Sequence, residues 1–253
     1  GLGLNYTKGH ALLSMLEQTI GEKSFQSAVQ VYMKKHSRGN TVADDLWQAF
    51  SAKSMHNIGD LANTYLEQPG YALVRFAEDG KISQKRYENY GSNLAKQEWQ
   101  VPLSLKYKMN GKVAEKQVLL KGKEVQLSSL AEADWILPVK DGNGYFRWQL
   151  PEDKYQNLVQ DLKSLSDREK MALLSNSRGL MDAGEKTLKA HLELLKEMAK
   201  EKDPIVFLNV LEEIKAVGET HTTLANQGAY SDFVTGSLSP WYEKIGVEAK
   251  STD

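Results

Sequence analysis

Residues 99–120 read WQVPLSLKYKMNGKVAEKQVLL, and this stretch decides the fold of the middle of the chain. Trp99, Val101, Leu103, Leu105, Tyr107 and Met109 alternate with Gln100, Pro102, Ser104, Lys106 and Lys108. A period of two sends successive side chains to opposite faces, so the segment predicts a half-buried β-strand. Pro102 has no N–H to give to a ladder and points to an edge position or a bulge. Asn110-Gly111 follows at once, and both residue types accept the positive φ that a two-residue hairpin turn requires. That turn sets Tyr107 opposite Ala114, Leu103 opposite Val118 and Val101 opposite Leu120, with Lys116 the one misfit on the apolar face.

Working outward, Trp135 to Val139 and Tyr145 to Leu150 read as a second strand pair, joined by the turn sequence Asp141-Gly142-Asn143-Gly144. Short strands at this spacing predict a small antiparallel β-sandwich over residues 70–151, with Trp99, Trp135 and Trp148 in its core. Before it, residues 1–69 carry helical spacing. Leu12, Leu13, Leu16 and Ile20 form a stripe ended by Gly21, and Phe25, Ala28, Val29, Tyr32 and Met33 form a second. Thr41 with Asp44 resembles a capping box ahead of Leu46, Trp47 and Phe50. A last short helix through Leu61 and Tyr65 stops before Gln68-Pro69-Gly70. After the strands, residues 152–253 return to helical spacing. Met171, Leu174 and Leu180 mark one helix, and Leu188, Leu192, Leu195 and Met198 the next. Val206, Val210 and Ile214 mark a third, and a final helix begins near Tyr230 and gives way to a polar tail. Short connections favour antiparallel neighbours, as in bundles and superhelical stacks.

Composition narrows the function classes. The chain has 253 residues, 41% hydrophobic and 26% charged, with 32 Lys plus Arg against 33 Asp plus Glu. Near-zero net charge and the lack of a basic stripe argue against a nucleic-acid partner. No apolar run approaches the 18 or so residues of a membrane span, and Gly1-Leu2-Gly3-Leu4 lacks the basic start of a signal peptide. With no cysteine there is neither a disulfide framework nor a thiolate metal site. His10, His36, His56, His191 and His221 are scattered, and none belongs to H-E-x-x-H. Glycine-rich phosphate loops and G-x-S-x-G are missing too. Asp44-Asp45, Glu212-Glu213 and the Lys196 to Lys202 run read as solvated helix faces. The residues alone therefore yield an architecture and no reaction.

A set of local motifs in chain order changes this. They are Tyr6-Thr7-Lys8-Gly9 with Leu13, Met15 and Leu16; Gly21-Glu22 with Phe25 and Tyr32; and Thr41 with Asp44-Asp45-Leu46-Trp47. Gln68-Pro69-Gly70-Tyr71, Gln84-Lys85-Arg86-Tyr87, Gly144-Tyr145-Phe146-Arg147-Trp148 and Asp167-Arg168 leading to Ala183-Gly184 follow. Together they resemble the aminopeptidase N-like zinc metallopeptidase family. The first is similar to its Y-x-K-G segment, Gln68 to Tyr71 to its Q-x-G-x-P junction, and Gly144 to Trp148 to its G-Y-Y-R-V strand. Tyr65 stands where that family usually has tryptophan, and Ala72 where it has the junction proline.

The resemblance implies an α+β multidomain chain: the helical end of a thermolysin-like catalytic domain, the sandwich, and the start of a helical C-terminal domain. It implies a zinc-dependent aminopeptidase, a hydrolase acting on peptide substrates. In such enzymes a zinc held by two histidines and a glutamate polarises water and carbonyl, and the tyrosine of Y-x-K-G hydrogen-bonds the oxyanion. Tyr6 is the matching position and the one candidate catalytic residue. The zinc ligands would all precede Tyr6, so zinc belongs to the parent protein, none is expected in this chain, and the chain alone is expected to be inactive. Lys8 and Gly9 are read as structural, the glycine giving room for close helix packing, and Gln84, Arg86, Tyr145 and Arg147 as architectural. Half of a domain would also expose apolar surface and favour self-association. The alternative is a non-catalytic scaffold that binds proteins or peptides.

Overall fold

The computed structural model describes residues 2–37 and 39–245, with side chains described for 8–37 and 39–242. The chain forms two compact units, Gly1–Leu158 with Asp182–Gly184, and Val159–Met181 with Glu185–Asp253. It is an α+β protein in which helices precede and follow two small, mostly antiparallel sheets.

The first unit opens with α1 (Leu2–Ile20), α2 (Glu22–Lys35), α3 (Ala43–Ser51) and α4 (Ile58–Leu66). Gly21, at φ 87°, makes the break between α1 and α2 that a side chain would resist. Leu12, Met15 and Leu16 bury the inner face of α1, and Phe25 of α2 stacks on Phe50 of α3 with ring centroids 4.6 Å apart. The capping box expected at Thr41 and Asp44 lies one residue later. The carboxylate of Asp45 accepts from the N–H of Val42 at 3.1 Å, while the Thr41 hydroxyl accepts from the Tyr32 phenol at 2.8 Å. Asn57 caps α4 by accepting from the N–H of Asp60 at 3.2 Å. Leu13, Val31 and Met33 are left exposed on α1 and α2.

One sheet has the order β5 (Glu124–Gln126), β2 (Lys81–Arg86), β1 (Ala72–Phe76), β7 (Arg147–Gln149); the other has β4 (Lys112–Leu120), β3 (Val101–Met109), β6 (Trp135–Leu137). The β3–β4 hairpin keeps the register set by its turn, Tyr107 against Ala114 through Val101 against Leu120, with Asn110 at φ 51° and Gly111 at φ 74°. Trp99, Trp135 and Trp148 are buried as expected. Three other expectations change.

β3 is the central strand of its sheet and not an edge, but β6 pairs only with Lys106 to Lys108, so at Pro102 the strand is locally unpaired on that side. That is how a proline fits a central strand. Nor is β3 half-buried along its length, because all of Val101 to Leu105 is buried. The polar face there lies under α1. Ser104 donates to the Gln117 side chain at 2.9 Å, and Gln117 in turn donates to the backbone carbonyl of Gln18 on α1 at 3.4 Å. Finally, the segments read as a second hairpin separate: Trp135–Leu137 joins β3, whereas Arg147–Gln149 lies parallel to β1 in the other sheet. The connection turns through Asp141 at φ 57° and crosses between sheets. Strands with little exposed face carry no alternation that names a partner.

Side chains close the sheets. Gln84 donates to the carbonyls of Trp99 at 2.7 Å and Gly122 at 2.6 Å, and accepts from the Trp99 N–H at 3.0 Å, pinning the long 87–100 connection. Gly80 is a tighter requirement. Its φ is 82°, and a Cβ there would stand 2.3 Å from the backbone oxygen of Leu127. Gly122 has almost the same φ, 83°, but open space around it. Gly80→Ala is therefore expected to lower the unfolding free energy by about 2 kcal/mol, and Gly122→Ala by about half of that. Denaturant titration of both variants checks this, and equal losses would refute the collision.

The second unit contains the end of α5 (Glu152–Gln160), most of α6 (Asp167–Asp182), and α7 (Leu188–Met198), α8 (Pro204–His221) and α9 (Gln227–Ile245). Thr187 caps α7 and Asp203, ahead of Pro204, caps α8. Phe207 of α8 stacks on Trp241 of α9 at 3.9 Å, and the Trp241 indole donates to the Ala199 carbonyl at 2.6 Å. The polar tail expected after this helix falls in residues 246–253, outside the described residues.

Candidate functional site

Tyr6 lies in the second turn of α1, a helix anchored by Leu12, Met15 and Leu16 against β3, α2 and α4. Its side chain is outside the described residues. Counting in steps of three and four along the helix puts position 6 in line with His10, Leu13 and Glu17, the exposed residues of α1 among those with described side chains. Gly9, one turn on, has nothing within 4 Å of where a Cβ would stand. The close helix packing expected there is absent among the described residues.

No group of three His, Cys, Asp or Glu side chains among the described residues is placed to hold a metal. No described helix is long and apolar enough to cross a membrane.

The second unit holds a polar network that sequence reading missed. His191 of α7 is fully buried. One ring nitrogen lies 2.9 Å from the Ser177 hydroxyl of α6, and the other lies 3.0 Å from the carboxylate of Glu213 on α8. Arg178 donates to the same Glu213 oxygen at 2.9 Å. Burial alone would raise the pKa of Glu213, but hydrogen bonds from His191 and Arg178 outweigh it and hold the carboxyl below the usual range. Glu213 is thus no solvated face residue. The same correction applies to Glu201, within the charged run after α7, whose carboxylate lies 2.7 Å from the ammonium of the nearly buried Lys170. Burial would lower the pKa of Lys170, and its contacts with Glu201 and Asp167 raise it instead. Ser177, His191 and Glu213 are 14 and 22 residues apart along the chain, so no spacing rule brings them together. Ser177 and His191 are buried and Glu213 and Arg178 only partly so, and each is paired within the network, which ties α6, α7 and α8 together as a structural clamp.

Comparison with known proteins identifies the first unit's helices and the C-terminal part separately. A profile described as "Peptidase family M1 domain" matches residues 3–65, and one described as "ERAP1-like C-terminal domain" matches residues 135–253. The chain is 29% identical to Aminopeptidase N of Lactobacillus delbrueckii subsp. lactis over 70% of its own length and 21% of the relative's. It is 25% identical to Aminopeptidase M1-A of Oryza sativa subsp. japonica over 98% of its length and 30% of the relative's. With Aminopeptidase 2, mitochondrial, of Saccharomyces cerevisiae, the identity is 24% over 99% and 27%. The chain thus spans about a quarter of the length of the curated relatives that it matches.

Proposed function

Since this chain belongs to the M1 aminopeptidase family, we propose that it supplies the oxyanion-stabilising tyrosine of a zinc-dependent enzyme that removes N-terminal residues from peptides. The observation that carries this reading is the placement of Tyr6-Thr7-Lys8-Gly9 inside the stretch matched to the M1 peptidase domain. In this reading Tyr6 donates its phenolic O–H to the scissile carbonyl oxygen as that oxygen gains negative charge. A phenol suits the task because its ordinary pKa of about 10 leaves it neutral and a donor at pH 7. The geometry of α1 supports the assignment in one respect: position 6 shares its line with His10 and Leu13, which no other described element covers. The described residues do not furnish a zinc site. Zinc, which polarises water and carbonyl in such enzymes, would be held by polypeptide other than these residues.

Cleavage of an aminoacyl anilide separates this reading from a scaffold role. This chain alone is expected to cleave none, and a polypeptide extended at its N-terminus through the rest of the M1 domain is expected to turn it over with one zinc bound. An extended polypeptide that binds zinc but cleaves no aminoacyl substrate would refute the proposal.

A further inference from the structure

A row of tyrosines runs across one end of the four-stranded sheet. Tyr71 stands just before β1 and Tyr87 just after β2. Ala72 pairs with Arg86, and the Tyr87 N–H donates to the Tyr71 carbonyl at 2.9 Å, so the two tyrosines lie opposite one another. Arg147 of β7 pairs with Leu73 in the parallel sense, which brings Tyr145 to the other side of Tyr71. Tyr65 of α4 closes the row against Tyr145.

The rings do not all meet alike. Tyr71 and Tyr87 stack with centroids 5.1 Å apart and planes 16° from parallel, the one stacked tyrosine pair among the described residues. Tyr145 meets Tyr71 at 5.4 Å but tilted by 59°, and Tyr65 meets Tyr145 edge-on at 5.9 Å. Access to solvent separates them further. Tyr71, Tyr87 and Tyr145 are half-buried. Tyr65 is fully buried, and its phenol has no hydrogen-bond partner among the described residues. A phenol that gives up an electron must hand its proton to an acceptor. Tyr65 has none at hand, whereas a half-buried tyrosine can use water.

We propose that Tyr71 and Tyr87 form a site of oxidative modification, joined as dityrosine by a one-electron oxidant such as a haem peroxidase fed with hydrogen peroxide. Each phenol gives one electron to the oxidant and one proton to water. The two phenoxyl radicals pair their electrons in a carbon–carbon bond between ring positions next to the hydroxyls. Those two carbons then lose their hydrogens as protons, and both oxygens regain one. The protein loses two hydrogen atoms in all, and one hydrogen peroxide becomes two waters. The fold supplies the orientation, since two rings already stacked need no diffusive encounter. The new bond ties the start of β1 to the end of β2, as a disulfide would, in a chain that has no cysteine. It does not depend on any peptidase activity.

Treating the dilute chain with a haem peroxidase and hydrogen peroxide tests this, read by intact mass and dityrosine fluorescence. The monomer is expected to lose the mass of two hydrogen atoms and to gain the fluorescence. Fragmentation of the joined peptides is expected to place the bond between Tyr71 and Tyr87. Tyr71→Phe and Tyr87→Phe, which keep the ring, are each expected to lower the yield of cross-linked monomer tenfold or more. Tyr90→Phe is expected to leave it unchanged, although Tyr90 is 85% exposed and close to Tyr87 in the chain. The mapping uses the unaltered chain, so it decides the question even where a variant folds poorly. If the monomer keeps its mass while dimers form through exposed tyrosines, or if the bond maps to another pair, the inference is overturned.

Discussion

Tyr6→Phe, in a polypeptide extended to the whole M1 domain, is expected to lower kcat by roughly 10²–10³ while zinc content and KM stay nearly unchanged. The split follows from what the phenol does in the proposed reaction. Its hydrogen bond strengthens as the carbonyl oxygen becomes an oxyanion, so its loss is felt in the transition state and hardly in substrate binding. Removing one such donor costs about 2.7–4 kcal/mol. Phenylalanine keeps the ring and its packing, which separates the hydroxyl's chemistry from any structural part of the side chain. Helix α1 is anchored by the buried Leu12, Met15 and Leu16, and the substitution changes none of them. An unchanged kcat would remove Tyr6 from the mechanism; a parallel rise in KM would make it a substrate contact.

Glu213→Ala is expected to destabilise the second unit by about 3 kcal/mol. The fully buried His191 would keep a ring nitrogen facing a hole where a carboxylate stood 3.0 Å away, and Arg178 would lose its 2.9 Å contact. Leaving a buried polar group unsatisfied costs more than the hydrogen bond itself contributes. Glu213→Gln keeps an acceptor oxygen and should lose less than half as much. The two can be told apart by calorimetric unfolding, and equal losses would show that charge and not hydrogen bonding holds the clamp. The pH dependence has a definite sign. Because the folded pKa of Glu213 is depressed, its stabilisation is complete above the ordinary glutamate value and is lost as pH falls through the folded one. The parent protein is therefore expected to lose stability in that acid window, and Glu213→Gln to show a flatter profile there.

How much of this was legible beforehand varies from residue to residue. The hairpin register from Val101 to Leu120 could be read because a two-residue turn leaves only one way to pair the strands. The ends of α1 and α4 could be read because Gly21 takes a positive φ and Pro69 disfavours a helical residue before it. The motif at Tyr6 to Gly9 was legible as a likeness, and both matched profiles agree with the family that it names. The burial of Ser104 was not legible, since nothing in β3 announces that α1 will lie on its polar face. Likewise, a buried Trp135–Leu137 cannot state whether its neighbour is β3 or the strand just after it.

By itself, then, the sequence determined the local elements, their terminators, the hairpin pairing and the family, all of which follow from dihedral preferences and short-range spacing. Only the tertiary structure decided which face of β3 is covered, which sheet receives β7, and that Ser177, His191 and Glu213 meet. Those outcomes depend on surfaces from distant parts of the chain competing for the same space, and no window of neighbouring residues contains both competitors.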